Sequence, residues 1–117
     1  MRITEITYDD SVPVDGYGPG FFRLGGERVE GAVLLMPSGV RAWLGYGEAQ
    51  PILDRAGEID VLLVGTGPEI AHLPADLRAV LEEAGIGVEV MASPAACRTY
   101  NVLIAEGRRV GAALLPV

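Results

Sequence analysis

Ile59-Asp60-Val61-Leu62-Leu63-Val64-Gly65 is a nearly continuous β-branched and aliphatic run closed by a glycine, and the fold is read outward from it. Uninterrupted apolar strands of this kind are covered on both faces. The residues downstream supply the cover. Pro74 opens a helix whose Leu77, Val80, Leu81 and Ala84 repeat at i, i+3, i+4 and i+7, and Gly85 sits at its C′ position. Ile86 to Met91 reads as the next strand. Ser93 as N-cap and Pro94 as first helical residue start a second helix that runs to Glu106 and stops at Gly107. Arg109 to Leu115 is the final strand, ended by Pro116. Strand, helix, strand, helix, strand in this order demands at least one parallel crossover, of right-handed sense.

Upstream the rhythm is different. Ile3 to Tyr8 alternate apolar and polar residues, the period of a half-buried strand, before Asp9-Asp10-Ser11 breaks the pattern. Gly16, Gly18, Pro19 and Gly20 predict a turn-rich connector; without a strand before and a helix after, this G-x-G-x-G is no nucleotide fingerprint. Phe21 to Leu24, the Gly25-Gly26 turn and Glu27 to Met36 predict a hairpin, because Gly-Gly supplies the positive φ angles a tight turn needs. Pro37-Ser38-Gly39 turns the chain back through Val40 to Leu44, with Trp43 expected under the sheet. A short helical turn is expected around Ile52 to Ala56. The class is therefore α/β (mixed α+β): a β-meander half and a βαβαβ half forming one mixed sheet with helices packed on it, as a single domain over residues 1–117.

The totals set limits. A chain of 117 residues buries about 65% of its unfolded surface, enough for a core. With 50% hydrophobic and 21% charged residues it is not disordered, and its longest apolar runs are too short to span a bilayer, so no membrane insertion is expected. Sixteen acidic residues oppose nine basic ones, all of them Arg, giving a net charge of −7 that repels a phosphate backbone and argues against nucleic acid. One cysteine excludes an internal disulfide and suits a reducing compartment. Met1-Arg2-Ile3-Thr4-Glu5 has no apolar h-region, so neither a secretory nor a transit peptide is expected and the location read from sequence is cytoplasmic.

Candidate chemistry gathers at two places. Gly65-Thr66-Gly67 follows the buried strand, where α/β folds commonly place ligands, and its backbone N–H groups are candidates to meet an anion. The bland alternative is a plain βα turn. The helix opened by Ser93 is expected to start beside that loop, with Arg98 one turn inside offering a fork of donors for carboxylate or phosphate. Its alternative is an ion pair to Asp60 or Glu89 that staples helix to sheet. Thr99, Tyr100 and Asn101 are polar in mid-helix and imply a tertiary use. Ala96, Val102, Leu103, Ile104 and the ring of Tyr100 are expected to hold the helix to the sheet. Cys97 with His72, the only His, lacks a nucleophile–base argument and reads as a small buried hydrophobe. One His and one Cys exclude a usual zinc or iron–sulfur set, so no metal and no cofactor are assigned. The carboxylate neighbours Asp9-Asp10 and Glu82-Glu83 read as solvated surface.

Asp60-Val61-Leu62-Leu63-Val64-Gly65-Thr66-Gly67, Leu77-Arg78, the run Gly85 to Met91, the run Ser93 to Leu103 and Glu106-Gly107-Arg108-Arg109-Val110 together resemble the Mth938-like family, also called the domain of unknown function 498. The match is specific over residues 59 to 116, and Phe21, Gly31 and the Pro37 turn extend it upstream. The resemblance implies a compact α/β fold with a central mixed sheet and no assigned catalytic activity. It also implies kinship with an assembly factor of mitochondrial respiratory complex I and with a protein linked to adipocyte differentiation. The leading expectation is a non-enzymatic binding or assembly-factor module contacting a protein partner or small anion through Gly65, Thr66, Gly67 and Ser93. The rival is a small enzyme using Arg98, Tyr100 and Asn101 on an anionic metabolite, and the high apolar fraction raises a homo-oligomer face as a third reading.

Overall fold

The computed structural model describes residues 5–7 and 11–117. The outer parts of the strand predicted over Ile3 to Tyr8, and the Asp9-Asp10 pair, lie outside them. Strand β1 is Glu5–Thr7, β2 Val14–Gly18, β3 Phe21–Leu24, β4 Glu27–Glu30, β5 Val33–Met36 and β6 Gly39–Ala42. Helix α1 (Gln50–Leu53) and a 3-10 turn over Ala56–Glu58 lead into β7 (Val61–Thr66), α2 (Ala75–Glu83), β8 (Gly87–Met91), α3 (Ser93–Ala105) and β9 (Val110–Leu115). Six strands form a mixed sheet in the order β1-β6-β5-β9-β7-β8, while β2, β3 and β4 form a separate antiparallel sheet. The pairs β7–β8 and β7–β9 are parallel, and β5–β9 is the antiparallel seam that joins the two halves of the chain.

The side-chain period of two divides the interior. Val33, Leu35, Leu63, Ala112 and Leu114 face α3 and the three-stranded sheet, whereas Leu34, Met36, Leu62, Val64 and Ala113 face α2 and the α1 segment. From β7 the chain steps one way to β8 and then back past β7 to β9. Two crossovers of the same hand running in opposite directions must lie on opposite faces, as α2 and α3 do. Trp43 is buried on the α2 side, its Nε1–H donating to the Glu48 carbonyl at 2.9 Å.

Three expectations are corrected. The connector at Gly16 to Gly20 is largely strand: β2 pairs antiparallel with β3, with a register shift between Val14 and Gly16 that absorbs the irregularity. The long strand Glu27 to Met36 is broken at Gly31, whose φ of +80° only glycine adopts cheaply, so that β4 joins the small sheet and β5 the large one. Finally, the α2 stripe is narrower than read: Leu77 and Leu81 are buried, whereas Val80 is 41% exposed.

A clamp at the end of the parallel strands

Gly65, Thr66 and Gly67 end β7 beside the start of α3, as the sequence places them. Their donors are engaged within the fold. Ser93 is fully buried; its Oγ–H donates to the Leu115 carbonyl at 2.6 Å and its Oγ accepts the Gly67 N–H at 2.9 Å. The Ser93 N–H in turn donates to the Gly67 carbonyl at 2.8 Å. One serine therefore ties together the end of β7, the start of α3 and the end of β9. It is not the N-cap: Ala92 occupies that position with extended φ and ψ, and Ser93 is the first residue of the helix. Pro94 has no N–H, and the Ala96 N–H bonds the Ala92 carbonyl, which leaves Ala95 as the single first-turn donor of α3 without an assigned acceptor. Of the N–H groups expected to meet an anion, those of Gly67, Ser93 and Ala96 have acceptors within the fold.

The close packing at Gly65 belongs to the same clamp. A β-carbon at Gly65 would sit 2.7 Å from Ser93 Oγ, 2.9 Å from Leu114 Cδ2 and 3.0 Å from Ser93 Cα, so the glycine is what lets the helix end approach the strand. Thr66 organises the loop beyond. Its hydroxyl lies 2.7 Å from the Glu69 carbonyl and 3.3 Å from the Met91 carbonyl, and it accepts the Ala71 N–H at 3.0 Å.

The three polar residues of α3 do not converge. Arg98 is exposed and makes no ion pair among the described residues; Asp60, one of its expected partners, pairs with Arg109 at 3.4 Å. Tyr100 is fully buried in the α3-side core, and burial pushes its pKa up to about 12. The Ser11 side chain nearby offsets part of that rise yet falls short of hydrogen-bond geometry, so the hydroxyl has no partner among the described residues. Asn101 faces the small sheet, where Nδ2 donates to the Val14 carbonyl at 2.9 Å and Oδ1 accepts the Val14 N–H at 2.8 Å, as a neighbouring strand would. Its expected tertiary use is thus a tether for β2. Cys97 is buried as expected; desolvation raises its thiol pKa to about 11, against a smaller downward pull from Arg98, and His72 is exposed on the loop after β7. Val102, read as core, is 55% exposed because α3 buries only the stripe through Ser93, Ala96, Cys97 and Tyr100.

What the sequence reading missed lies just past the clamp. The loop pinned by Thr66 holds Ile70, which is 67% exposed, over a hollow of about 240 Å³ that Leu73, Arg78 and Val90 help to line. This hollow adjoins β8, which has no neighbour on its outer side among the described residues. There the Val88 carbonyl faces outward and meets Arg78 Nη1 at 3.4 Å, and Val90, two residues on, faces the same way. The signal available in the sequence was an isolated apolar residue inside the polar loop Pro68-Glu69-Ile70-Ala71-His72.

Comparison with known proteins gives this geometry a family. Residues 14–115 match the family model described as protein of unknown function (DUF498/DUF598). An uncharacterised protein of Rhodobacter capsulatus is 47% identical over all of this chain and 94% of its own length. NADH dehydrogenase [ubiquinone] 1 alpha subcomplex assembly factor 3 of Rattus norvegicus is 33% identical over 99% of this chain, which spans 66% of that relative's length. The solution structure of a Mth938-like domain from Bordetella pertussis superposes with a TM-score of 0.74 at 32% identity, covering 90% of this chain and 85% of its own. With the family model matched over residues 14–115 and the superposition on a Mth938-like domain, the chain belongs to the DUF498/DUF598 family and has the Mth938-like fold.

Proposed function

We propose that this chain is a protein-binding module of the assembly-factor kind, meeting its partner across the loop after β7 and the outer edge of β8. The observation that carries the reading is the pairing of a 67% exposed Ile70, on a loop fixed by three Thr66 contacts, with an open strand edge beside it. An extended segment of a partner can add to such an edge through main-chain hydrogen bonds while an apolar side chain fills the adjoining hollow. The name of the rat relative supports a protein partner over a small anion, and so does the engagement of the clamp donors. No helix among the described residues is long and apolar enough to cross a membrane, so this reading calls for no spanning helix.

The test is capture of partners from lysate of the cell that makes the protein, using the full chain and its Ile70→Asp and Val90→Lys variants. The reading expects a stoichiometric partner with the parent chain, and its loss with both variants, at unchanged melting temperature for the exposed Ile70→Asp. Equal capture by all three chains would refute the surface. Sedimentation of the parent alone decides whether that partner is a second copy of the chain.

A further inference from the structure

On β8 the Gly87 N–H donates to the Asp60 carbonyl at 2.9 Å, on the β7 side. Alternate residues turn their main-chain groups the same way, so those of Glu89 and Met91 also face β7 and those of Val88 and Val90 face outward. Arg78 Nη1 meets the Val88 carbonyl at 3.4 Å, while the Val88 N–H and both main-chain groups of Val90 have no neighbouring strand among the described residues. The side chains sort by face. Val88 and Val90 pack with the α2-side cluster, beside the hollow that Ile70 and Leu73 help to line, and alternation therefore sets Glu89 on the α3 side. Glu89 is exposed, and its carboxylate has no hydrogen bond or ion pair among the described residues; the same holds for the carboxylate of Glu69 on the loop. Arg78, the arginine lining the hollow, is already paired with Glu82 at 3.6 Å.

We propose that the protein segment added to β8 carries a basic residue next to an apolar one, the apolar side chain filling the hollow beside Val90 and the Lys or Arg lying opposite Glu89. This rests on the reading of β8 and Ile70 as the partner surface. The spacing follows from the strand period: successive side chains of an added strand point to opposite faces. The residue adjacent to the one over the hollow must therefore emerge on the Glu89 face, whichever way the strand runs. Side chains opposite one another on paired strands bring their β-carbons to about 4.5–5.5 Å, where opposite charges attract and like charges repel. An acidic segment would set a second carboxylate against Glu89. The net charge of −7 adds to the preference, drawing a basic segment in and opposing the approach of an acidic one.

The test is titration of the full chain with three end-blocked peptides, Val-Lys-Val-Lys-Val, Val-Gln-Val-Gln-Val and Val-Glu-Val-Glu-Val, followed by NMR at the Val88 and Val90 amides and the Ile70 methyl groups. The Lys peptide is expected to saturate with a Kd on the order of 1 mM, and the Gln peptide to bind about three- to tenfold more weakly. The Glu peptide is expected to leave those signals unmoved. Glu89→Lys, at an exposed position, should reverse the order of the Lys and Glu peptides. Glu27→Lys, an equal change of net charge at an exposed position of the small sheet, should keep it. Equal affinity for the Lys and Gln peptides would overturn the proposal, as would the parent order in Glu89→Lys or no saturable shift up to about 10 mM peptide. Capture from lysate keeps the two readings apart. A partner that Ile70→Asp loses and Glu89→Lys retains at the parent level leaves the surface standing and overturns the basic segment, whereas equal capture by the parent, Ile70→Asp and Val90→Lys chains sinks the surface and the segment with it.

Discussion

Replacing Ser93 by Ala removes one oxygen and disconnects three segments. The Gly67 N–H loses a fully buried acceptor, and the Leu115 carbonyl loses a donor in a partly buried setting that water can reach. An unpaired buried group costs about 1–3 kcal/mol. With the carbonyl partly rescued by water, the expected loss is about 2 kcal/mol, or roughly 8 °C of melting temperature for a domain of this size. The assay is thermal or denaturant unfolding, read alongside hydrogen exchange at the Gly67 amide, which should lose its protection. Gly65→Ala is expected to cost about 1–3 kcal/mol by overpacking, since its new β-carbon collides with Ser93 Oγ and Leu114 Cδ2. In the double variant the Oγ clash is gone while the Leu114 contact stays, so the two losses should fall short of additivity by about 1 kcal/mol. If Ser93→Ala melted within about 2 °C of the parent and the Gly67 amide stayed protected, the clamp would be dispensable and the reasoning wrong.

Asn101→Ala is expected to cost about 1–2 kcal/mol and to accelerate amide exchange in β2 and β3 while sparing β7 and β9; uniform acceleration across both sheets would refute the tether. Tyr100→Phe removes a buried hydroxyl without a partner, so stability should be unchanged or rise by up to about 1 kcal/mol, and a loss of more than about 1 kcal/mol in urea unfolding would show a real bond to Ser11. The Cys97 thiol is raised in the folded chain from 9.0 to about 11, so its neutral form favours folding below pH 9 and that contribution fades as pH rises towards 11. Cys97→Ala should therefore show a shallower loss of stability over that window than the parent, and matching pH profiles would contradict the burial argument.

Much of the architecture was legible because apolar patterning is local. The run Ile59 to Val64, the helix stops at Gly85 and Gly107, and the buried Trp43 all follow from period and turn chemistry, and the structure keeps them. The break at Gly31 was not, since a glycine inside a strand pattern does not say whether the chain bulges or leaves for another sheet. The site was harder still. Ser93 and Asn101 advertise hydrogen bonding in the sequence, and only the fold shows that their partners are the backbone of Gly67, Leu115 and Val14.

The antiparallel seam between β5 and β9 bears on how the chain is made. Val33–Met36, buried at every position, emerges from the ribosome about 80 residues before Val110–Leu115, which pairs with it. At about 5–20 residues per second, that apolar edge waits roughly 4–16 s for its neighbour, longer while the last residues clear the exit tunnel. Synthesis rate and chaperone access during that interval, more than final stability, should govern how much of the protein is recovered soluble, and slowing translation after residue 36 should lower the yield.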